Sequence, residues 1–262
     1  MLYNTSVSLF HALLFGVVEG ITEFLPISST AHLILTSHLL RLPQTEFLKS
    51  FEIAIQLGAI LAVVTLYWKR VLESRALFWK LGVAFLPTAI MGFLLYSVIK
   101  NMFFESTVLI LFTLFLGGVA LIAFDLLHTE KQSALAQLQN MTYMQALLIG
   151  CFQSIAMVPG VSRAAASIIG GLIVGLNRKS SVEFSFLLAV PTMVAATGLD
   201  LLQNGAALSQ SEFVLLGIGF LISFLTAIIA IQWLLKFIQT HSFMPFGIYR
   251  IGIAILLMLF LL

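Results

Sequence analysis

Charge is what this sequence has least of. Only 9% of its 262 residues are Asp, Glu, Lys or Arg, against about 25% in a soluble globular domain. So little charge cannot coat a surface that faces water, which excludes a soluble fold. Disorder is excluded as well, because 60% of the chain is hydrophobic, with 23 Phe, and these side chains must be buried in something. The near balance of 13 basic and 11 acidic residues lacks the positive excess that neutralises phosphate backbones, so no nucleic acid is expected as a partner. A single cysteine, Cys151, rules out an internal disulfide and a cysteine-based zinc site. It reads as a small packing residue. No Lys or Arg precedes Arg41, and the first apolar stretch carries Glu19 and Glu23, so that stretch is not expected to act as a secretory signal.

What is present is long apolar runs. A helix crossing a bilayer needs about 20 mostly apolar residues, and six segments meet that need: 51–68, 77–99, 107–127, 182–203, 213–237 and 246–262. Two further apolar regions are interrupted. Residues 5–40 contain Leu25-Pro26-Ile27-Ser28-Ser29-Thr30, and residues 141–177 contain Val158-Pro159-Gly160-Val161-Ser162-Arg163. Proline removes a backbone donor and disfavours helix in the residue before it. In hydrocarbon such a break persists only where it is buried in protein or lines a wet cavity. Each region therefore predicts a re-entrant helix–break–helix pair.

The two halves of the chain resemble each other. Gly16-Val17-Val18-Glu19-Gly20-Ile21 matches Gly150-Cys151-Phe152-Gln153-Ser154-Ile155 at an offset of 134, and Pro26/Pro159 and Phe51/Phe184 lie 133 apart. The expected unit is one re-entrant pair followed by three spans. Three is odd, so the second copy enters the membrane upside down, an arrangement in which broken helices meet at mid-membrane to handle polar cargo. The fold expected is an all-α polytopic membrane protein of six transmembrane helices plus two re-entrant pairs. It forms one integral membrane domain over 1–262, built from an inverted-topology repeat of about 1–128 and 141–262. By the positive-inside rule, Lys69, Arg70, Arg75, Lys80, Lys131, Arg178, Lys179 and Lys236 face the cytoplasm and Arg41, Lys49 and Lys100 the outside, eight against three. The first re-entrant pair then opens from the outer face.

Four ionisable residues sit near the breaks: Glu19, Glu23, His32 and Arg163. A charge at the bilayer centre costs about 2.5–3.5 kcal/mol on insertion scales, and gathering the four in one polar pocket is the cheapest arrangement. Glu19 and Glu23, four apart, share a helix face. Two carboxylates so placed repel unless a proton or a cation lies between them, and a hard divalent ion, Mg²⁺ or Ca²⁺, would satisfy both and bring phosphate oxygens with it. Ser28, Ser29 and Thr30 supply hydroxyls and free backbone N–H groups at a helix N-terminus, which is an anion site, though such clusters also serve as plain caps. Ser29 and His32, three apart, place a hydroxyl beside an acid/base group. Arg163, just after Ser162, offers a planar fork suited to phosphate, or a fixed ion pair to Glu19 or Glu23. Glu52 and Gln56 are expected to support the site from the first full span. Asp125, Glu130, Glu183, Asp200 and Glu212 read as solvated residues near span ends.

These motifs resemble those of the undecaprenyl-diphosphate phosphatases, also called bacitracin-resistance proteins. Glu19-Gly20-Ile21-Thr22-Glu23-Phe24-Leu25-Pro26-Ile27-Ser28-Ser29-Thr30-Ala31-His32 is similar to that family's E-x-x-x-E segment and serine-rich turn, and Pro159-Gly160-Val161-Ser162-Arg163 to its P-G-x-S-R motif. Glu183-Phe184-Ser185-Phe186-Leu187-Leu188-Ala189-Val190-Pro191 and the Phe51–Gly58 segment extend the likeness over nearly the whole length. Ala31 stands where the family has Gly, and Ala164-Ala165 where it has Ser-Gly, so no phosphate contact is carried to position 164. The resemblance implies a bacterial inner-membrane enzyme that hydrolyses a polyprenyl diphosphate lipid to its monophosphate, recycling the carrier of peptidoglycan synthesis and conferring bacitracin resistance. Under it, Glu19 and Glu23 serve the metal or a proton transfer, and Ser29 is nucleophile or phosphate ligand with His32 as acid/base partner. Arg163 clamps the phosphates, with hydrogen bonds from Ser28, Thr30 and Ser162, in a pocket facing the periplasm. The rival expectation is an inverted-repeat carrier for lipid phosphate. A homodimer, through Gly170-Gly171 or Gly217-x-Gly219, is the alternative to internal packing of those glycines.

Overall fold

The computed structural model describes residues 7–43, 45–98, 106–129, 137–204 and 209–261. No strand occurs among them, and ten α-helices follow one another: α1 (Leu9–Thr22), α2 (Ser29–Leu39), α3 (Glu46–Glu73), α4 (Arg75–Val98), α5 (Thr107–Leu127), α6 (Tyr143–Ser154), α7 (Arg163–Ile173), α8 (Arg178–Asn204), α9 (Gln210–Phe237) and α10 (Met244–Leu261). Start signals in the sequence explain many of the boundaries. Ser8, Thr45, Ser106, Thr142 and Ser209 each accept a bond from the N–H three residues on, and Thr142/Gln145 and Ser209/Glu212 do so reciprocally. Such caps satisfy backbone donors that a helix start leaves open.

Five of the helices, α3, α4, α5, α8 and α9, are long and apolar enough to cross a membrane. Their outward faces carry large apolar side chains such as Phe93, Leu127 and Phe213, which only lipid or a partner can cover. The chain is a helical membrane protein. One expected crossing differs: Met244–Phe260 of α10 falls among the shorter apolar helices. Its first turn is spent on a polar anchor, since the Met244 N–H donates to the Asp125 carboxylate at 3.2 Å. Each interrupted region folds as two short helices around its break, α1/α2 and α6/α7.

The element order recurs: two short helices, then three longer ones, twice. α1 and α6 start 134 residues apart, as do α2 and α7. The packing recurs too, α1 lying on α9 as α6 lies on α4, while α5 pairs with α10. Glycine permits the first two crossings, because a Cβ on Gly16 would strike the Gly219 carbonyl and one on Gly150 the Ala84 carbonyl. Even the ends of α2 and α7 agree. Arg41 and Gly175 both turn left-handed (φ 53° and 98°), and the N–H of the next residue reaches back five places, Leu42 to Ser37 and Leu176 to Gly171, a Schellman closure.

Several readings of single residues change. Glu183 and Asp125 are not solvated: the Glu183 carboxylate is buried against Arg70 at 2.7 Å, and that of Asp125 against Arg178 at 3.6 Å. Lys80, read as a cytoplasm-facing charge, is not on the surface. It lies buried within α4, where its ammonium donates to the Gln139 carbonyl at 2.7 Å. Cys151 is exposed on the outer face of α6 rather than packed. Gly170, Gly171 and Gly219 pack internally against Phe152, Ser181 and Phe51, whereas Gly217 meets no atom within 4 Å. Lys100, Lys131 and Glu130, which enter the charge reading, lie outside the described residues, as does the side chain of Asp200.

Candidate active site

The two breaks have one backbone design. At each, a serine precedes the second half-helix in a left-handed conformation, Ser28 at φ 73° and Ser162 at φ 77°. A non-glycine residue held there costs about 1–3 kcal/mol and persists only where its surroundings enforce it. The sharp turn starts α2 at Ser29 and α7 at Arg163, so equivalent positions carry a hydroxyl in one half and a guanidinium in the other. Ser162 caps its own helix through the Ala165 N–H at 3.2 Å, whereas the Ser28 hydroxyl makes no capping bond.

These two side chains meet on one carboxylate. Ser29 Oγ donates to Glu23 Oε2 at 2.6 Å, and Arg163 Nε and Nη2 donate to Glu23 Oε1, each at 3.2 Å. The Arg163 fork is held from behind by Nη1 to the Ser185 carbonyl at 3.0 Å. Glu23, Ser29 and the Arg163 side chain are all nearly buried, so little water screens the junction. Of the two ion pairs open to Arg163, the structure forms the one to Glu23.

The expected Ser29–His32 pairing is not formed. His32 Nδ1 lies 2.7 Å from the Ser28 carbonyl and Nε2 2.9 Å from the Tyr249 hydroxyl, with the two rings nearly parallel. A carbonyl only accepts, so Nδ1 carries a proton, and Nε2 pairs with the Tyr249 hydroxyl. The left-handed turn at Ser28 aims the Ser29 hydroxyl back toward α1, while His32, three positions on, faces α10.

Glu19 lies one helical turn before Glu23, fully buried, and neither of its carboxylate oxygens has a hydrogen-bond partner. Oε1 of Glu52 on α3 is likewise buried without a partner, and Glu52 and Glu23 both act electrostatically on Glu19. Buried carboxylate oxygens without partners are the hard donors that Mg²⁺ or Ca²⁺ prefers, so the residues fit a divalent ion. No three His, Cys, Asp or Glu among the described residues converge enough to hold one on protein ligands alone, so water or phosphate would have to supply the remaining positions. Thr30, on the first turn of α2, and Gln56, one turn beyond Glu52, are half-buried, and no hydrogen bond among the described residues ties either to the junction.

With this geometry in place, sequence comparison assigns the family. The family model described as "Bacitracin resistance protein BacA" matches residues 12–256. The chain belongs to the BacA family. Among curated relatives, a protein of Wolinella succinogenes is 49% identical over 253 residues, covering 97% of this chain and 98% of its own length. One of Sulfurihydrogenibium sp. is 51% identical over 245 residues, with 94% and 96% covered, and one of Aquifex aeolicus 50% over 244, with 93% and 95%. All three are named undecaprenyl-diphosphatase.

For this BacA-family chain the motif residues are only part of what builds the site. Tyr249 and Arg250 on α10, Thr113 on α5 and Ser185 on α8 hold it together and were not anticipated. Arg250 had a signal, since it is an ionisable residue inside the apolar segment 246–262, the same anomaly that singles out Arg163. Thr113 and Ser185 had none, as hydroxyl residues are common in apolar helices.

Proposed function

We propose that this chain hydrolyses undecaprenyl diphosphate to undecaprenyl phosphate and inorganic phosphate, the activity for which its relatives are named. The observation that carries the reading is the shared carboxylate: a nucleophile candidate and a phosphate-binding guanidinium, one from each break, meet on Glu23. Diphosphate competes with Glu23 for Arg163, because a phosphate offers the same planar pair of acceptors. As Arg163 turns to the phosphate, Glu23 is left free to take the Ser29 proton. Ser29 Oγ then bonds to the terminal phosphorus and the anhydride bond breaks, releasing the lipid monophosphate. Glu23 passes that proton to the departing lipid phosphate, and the carboxylate so restored activates the water that frees the phosphate. Direct attack by water, with Ser29 as a phosphate ligand, uses the same groups.

Glu19 and Glu23 are the residues we assign to a divalent ion, Mg²⁺ or Ca²⁺, or to the proton transfer, with Glu52 behind them. When bound, that ion would supply positive charge to the phosphate oxygens, and positioning with charge neutralisation is most of what phosphoryl transfer asks of an enzyme. Ser28, Thr30 and Ser162 hydrogen-bond the phosphates, Gln56 backs Glu52, and His32, engaged by Ser28 and Tyr249, is left out of the acid/base role read for it beside Ser29. We place the chain in the bacterial inner membrane with this pocket facing the periplasm, on the support of the basic residues at the ends of α3, α4, α8 and α9. The recurring helix order, crossings and left-handed serines support an inverted repeat of about 1–128 and 141–262. The meeting of the two broken helices also suits a carrier for lipid phosphate. For a homodimer, Gly217 is the small-residue position left open.

The test is phosphate release from undecaprenyl diphosphate by the detergent-purified protein, with EDTA and with Mg²⁺ or Ca²⁺ restored. Release should stop with EDTA, return with metal, and fall by about 10²–10⁴-fold in folded Ser29→Ala and Glu23→Gln variants. Labelled phosphate trapped on the wild type and absent from Ser29→Ala would mark the covalent route. No release by folded protein in several lipids would sink hydrolysis, and vesicles loaded with lipid phosphate would then test the carrier.

A further inference from the structure

Arg250 is fully buried in α10 and, among the described residues, pairs with no carboxylate. Its hydrogen bonds all run to main-chain carbonyls: Nε to Leu114 at 3.2 Å, Nη1 to Pro26 at 3.3 Å and Val161 at 2.9 Å, and Nη2 to Thr113 at 3.4 Å and Gly160 at 2.8 Å. A guanidinium has five N–H donors and no acceptor, so the five carbonyls use all of its donors. Three of those carbonyls belong to the breaks, where the helical ladder has lapsed and the bilayer offers no water in its place.

The fork spans both turns at once. Pro26 lies two residues before the left-handed Ser28, and Val161 directly before the left-handed Ser162. Thr113, on the α5 face crossed by α10, adds its hydroxyl to the Pro159 carbonyl at 2.5 Å. The fold keeps a notch for the group, because a Cβ on Gly117 would collide with the Arg250 guanidinium. One residue C-terminal to Tyr249, which holds His32, Arg250 thus ties the carbonyls ahead of α2 to those ahead of α7.

We propose that Arg250 is a positioning residue for the reaction: it sets the one separation of the two turns at which Ser29 and Arg163 reach the same carboxylate. It touches no substrate. The rate part of its test rests on the hydrolytic reading above, while the distance part does not. Arg250→Lys keeps the charge but offers three donors from a single point, too few to span both turns.

Two readouts test this, in a Cys151→Ser background. Spin labels on Leu39→Cys of α2 and Ile173→Cys of α7, both exposed, report the separation of the two half-helices. The protein with Arg250 intact should give a narrow distance distribution, and Arg250→Lys a broadened or shifted one. In phosphate release, Arg250→Lys should lower kcat by about 10²-fold, the cost of a misplacement of about 1 Å, with KM within about threefold. Gly117→Ala, which keeps Arg250 but fills its notch, should shift both readouts the same way, and it decides the matter if Arg250→Lys does not fold. An unchanged distance distribution in a folded variant would overturn the proposal, as would near-normal kcat in one whose parent is active. If the parent protein releases no phosphate, hydrolysis fails as a reading while the distances still decide the role of Arg250.

Discussion

At the scale of single residues, the site is a problem of buried charge. Arg163 and Glu23 have side chains only 11% and 5% exposed, and each compensates the other. Removing one partner of such a pair strands the other and costs about 3–5 kcal/mol, whereas removing both leaves little uncompensated. Arg163→Met should therefore lower the thermal unfolding midpoint of the purified protein markedly, while Arg163→Met/Glu23→Gln recovers most of the loss and stays inactive. A double variant no more stable than Arg163→Met would mean that the bond from Arg163 to the Ser185 carbonyl, rather than the ion pair, carries the stability. The acids and Arg163 were legible in the sequence because a charge in an apolar run is its own signal. Which partner each takes was not. Helical spacing puts Ser29 beside His32, but the left-handed turn at Ser28 sends the hydroxyl to Glu23. Neither that turn nor the Tyr249–His32 bond leaves a trace in residue types, since serine is not a residue that ordinarily adopts positive φ.

At the scale of elements, the breaks were readable and the crossings were not. Pro26 and Pro159 announce where the short helices stop, and both pairs of short helices lie where the prolines and flanking apolar runs place them. That α1 lies on α9, and α6 on α4, follows only from which glycines admit a neighbouring backbone. Gly150 is pressed against the Ala84 main chain, whereas Gly217 meets nothing within 4 Å. Gly150→Ala must push α6 off α4, and overpacking of this kind costs about 1–3 kcal/mol. Thermal unfolding in detergent should show a clear loss for Gly150→Ala and almost none for Gly217→Ala. Equal effects at the two positions would contradict the crossing. The short α10 belongs to this scale as well. Its apolar composition reads as an ordinary span, yet its start is pinned to Asp125 and its interior carries Arg250, so it serves the centre of the molecule more than it serves the lipid.

At the scale of the whole molecule, the question is why the proposed hydrolysis should be housed between two broken helices. Each break leaves carbonyls and amides unpaired in a medium without water, and a second break set against the first allows one set of side chains to satisfy both. Arg163 reaches from the second break to Glu23 beside the first, and Arg250 from α10 to both. The offset of 133–134 residues between the halves was visible in the sequence because the two breaks share their glycine and proline spacing. The division of labour was not, since the halves differ at the very positions to which we assign the chemistry: Ser29 against Arg163, and Glu19 against Gln153. If the halves are inverted, the loops that follow α2 and α3 open to opposite sides. In cells carrying the Cys151→Ser protein, a membrane-impermeant maleimide should label Pro43→Cys from outside and Glu73→Cys only after the membrane is permeabilised. Labelling of both from one side would leave α3 uncrossed and remove the inverted arrangement. Labelling of Glu73→Cys alone in intact cells would keep the fold but turn the Glu23 junction toward the cytoplasm, and the lipid diphosphate would then have to be presented from the inner leaflet.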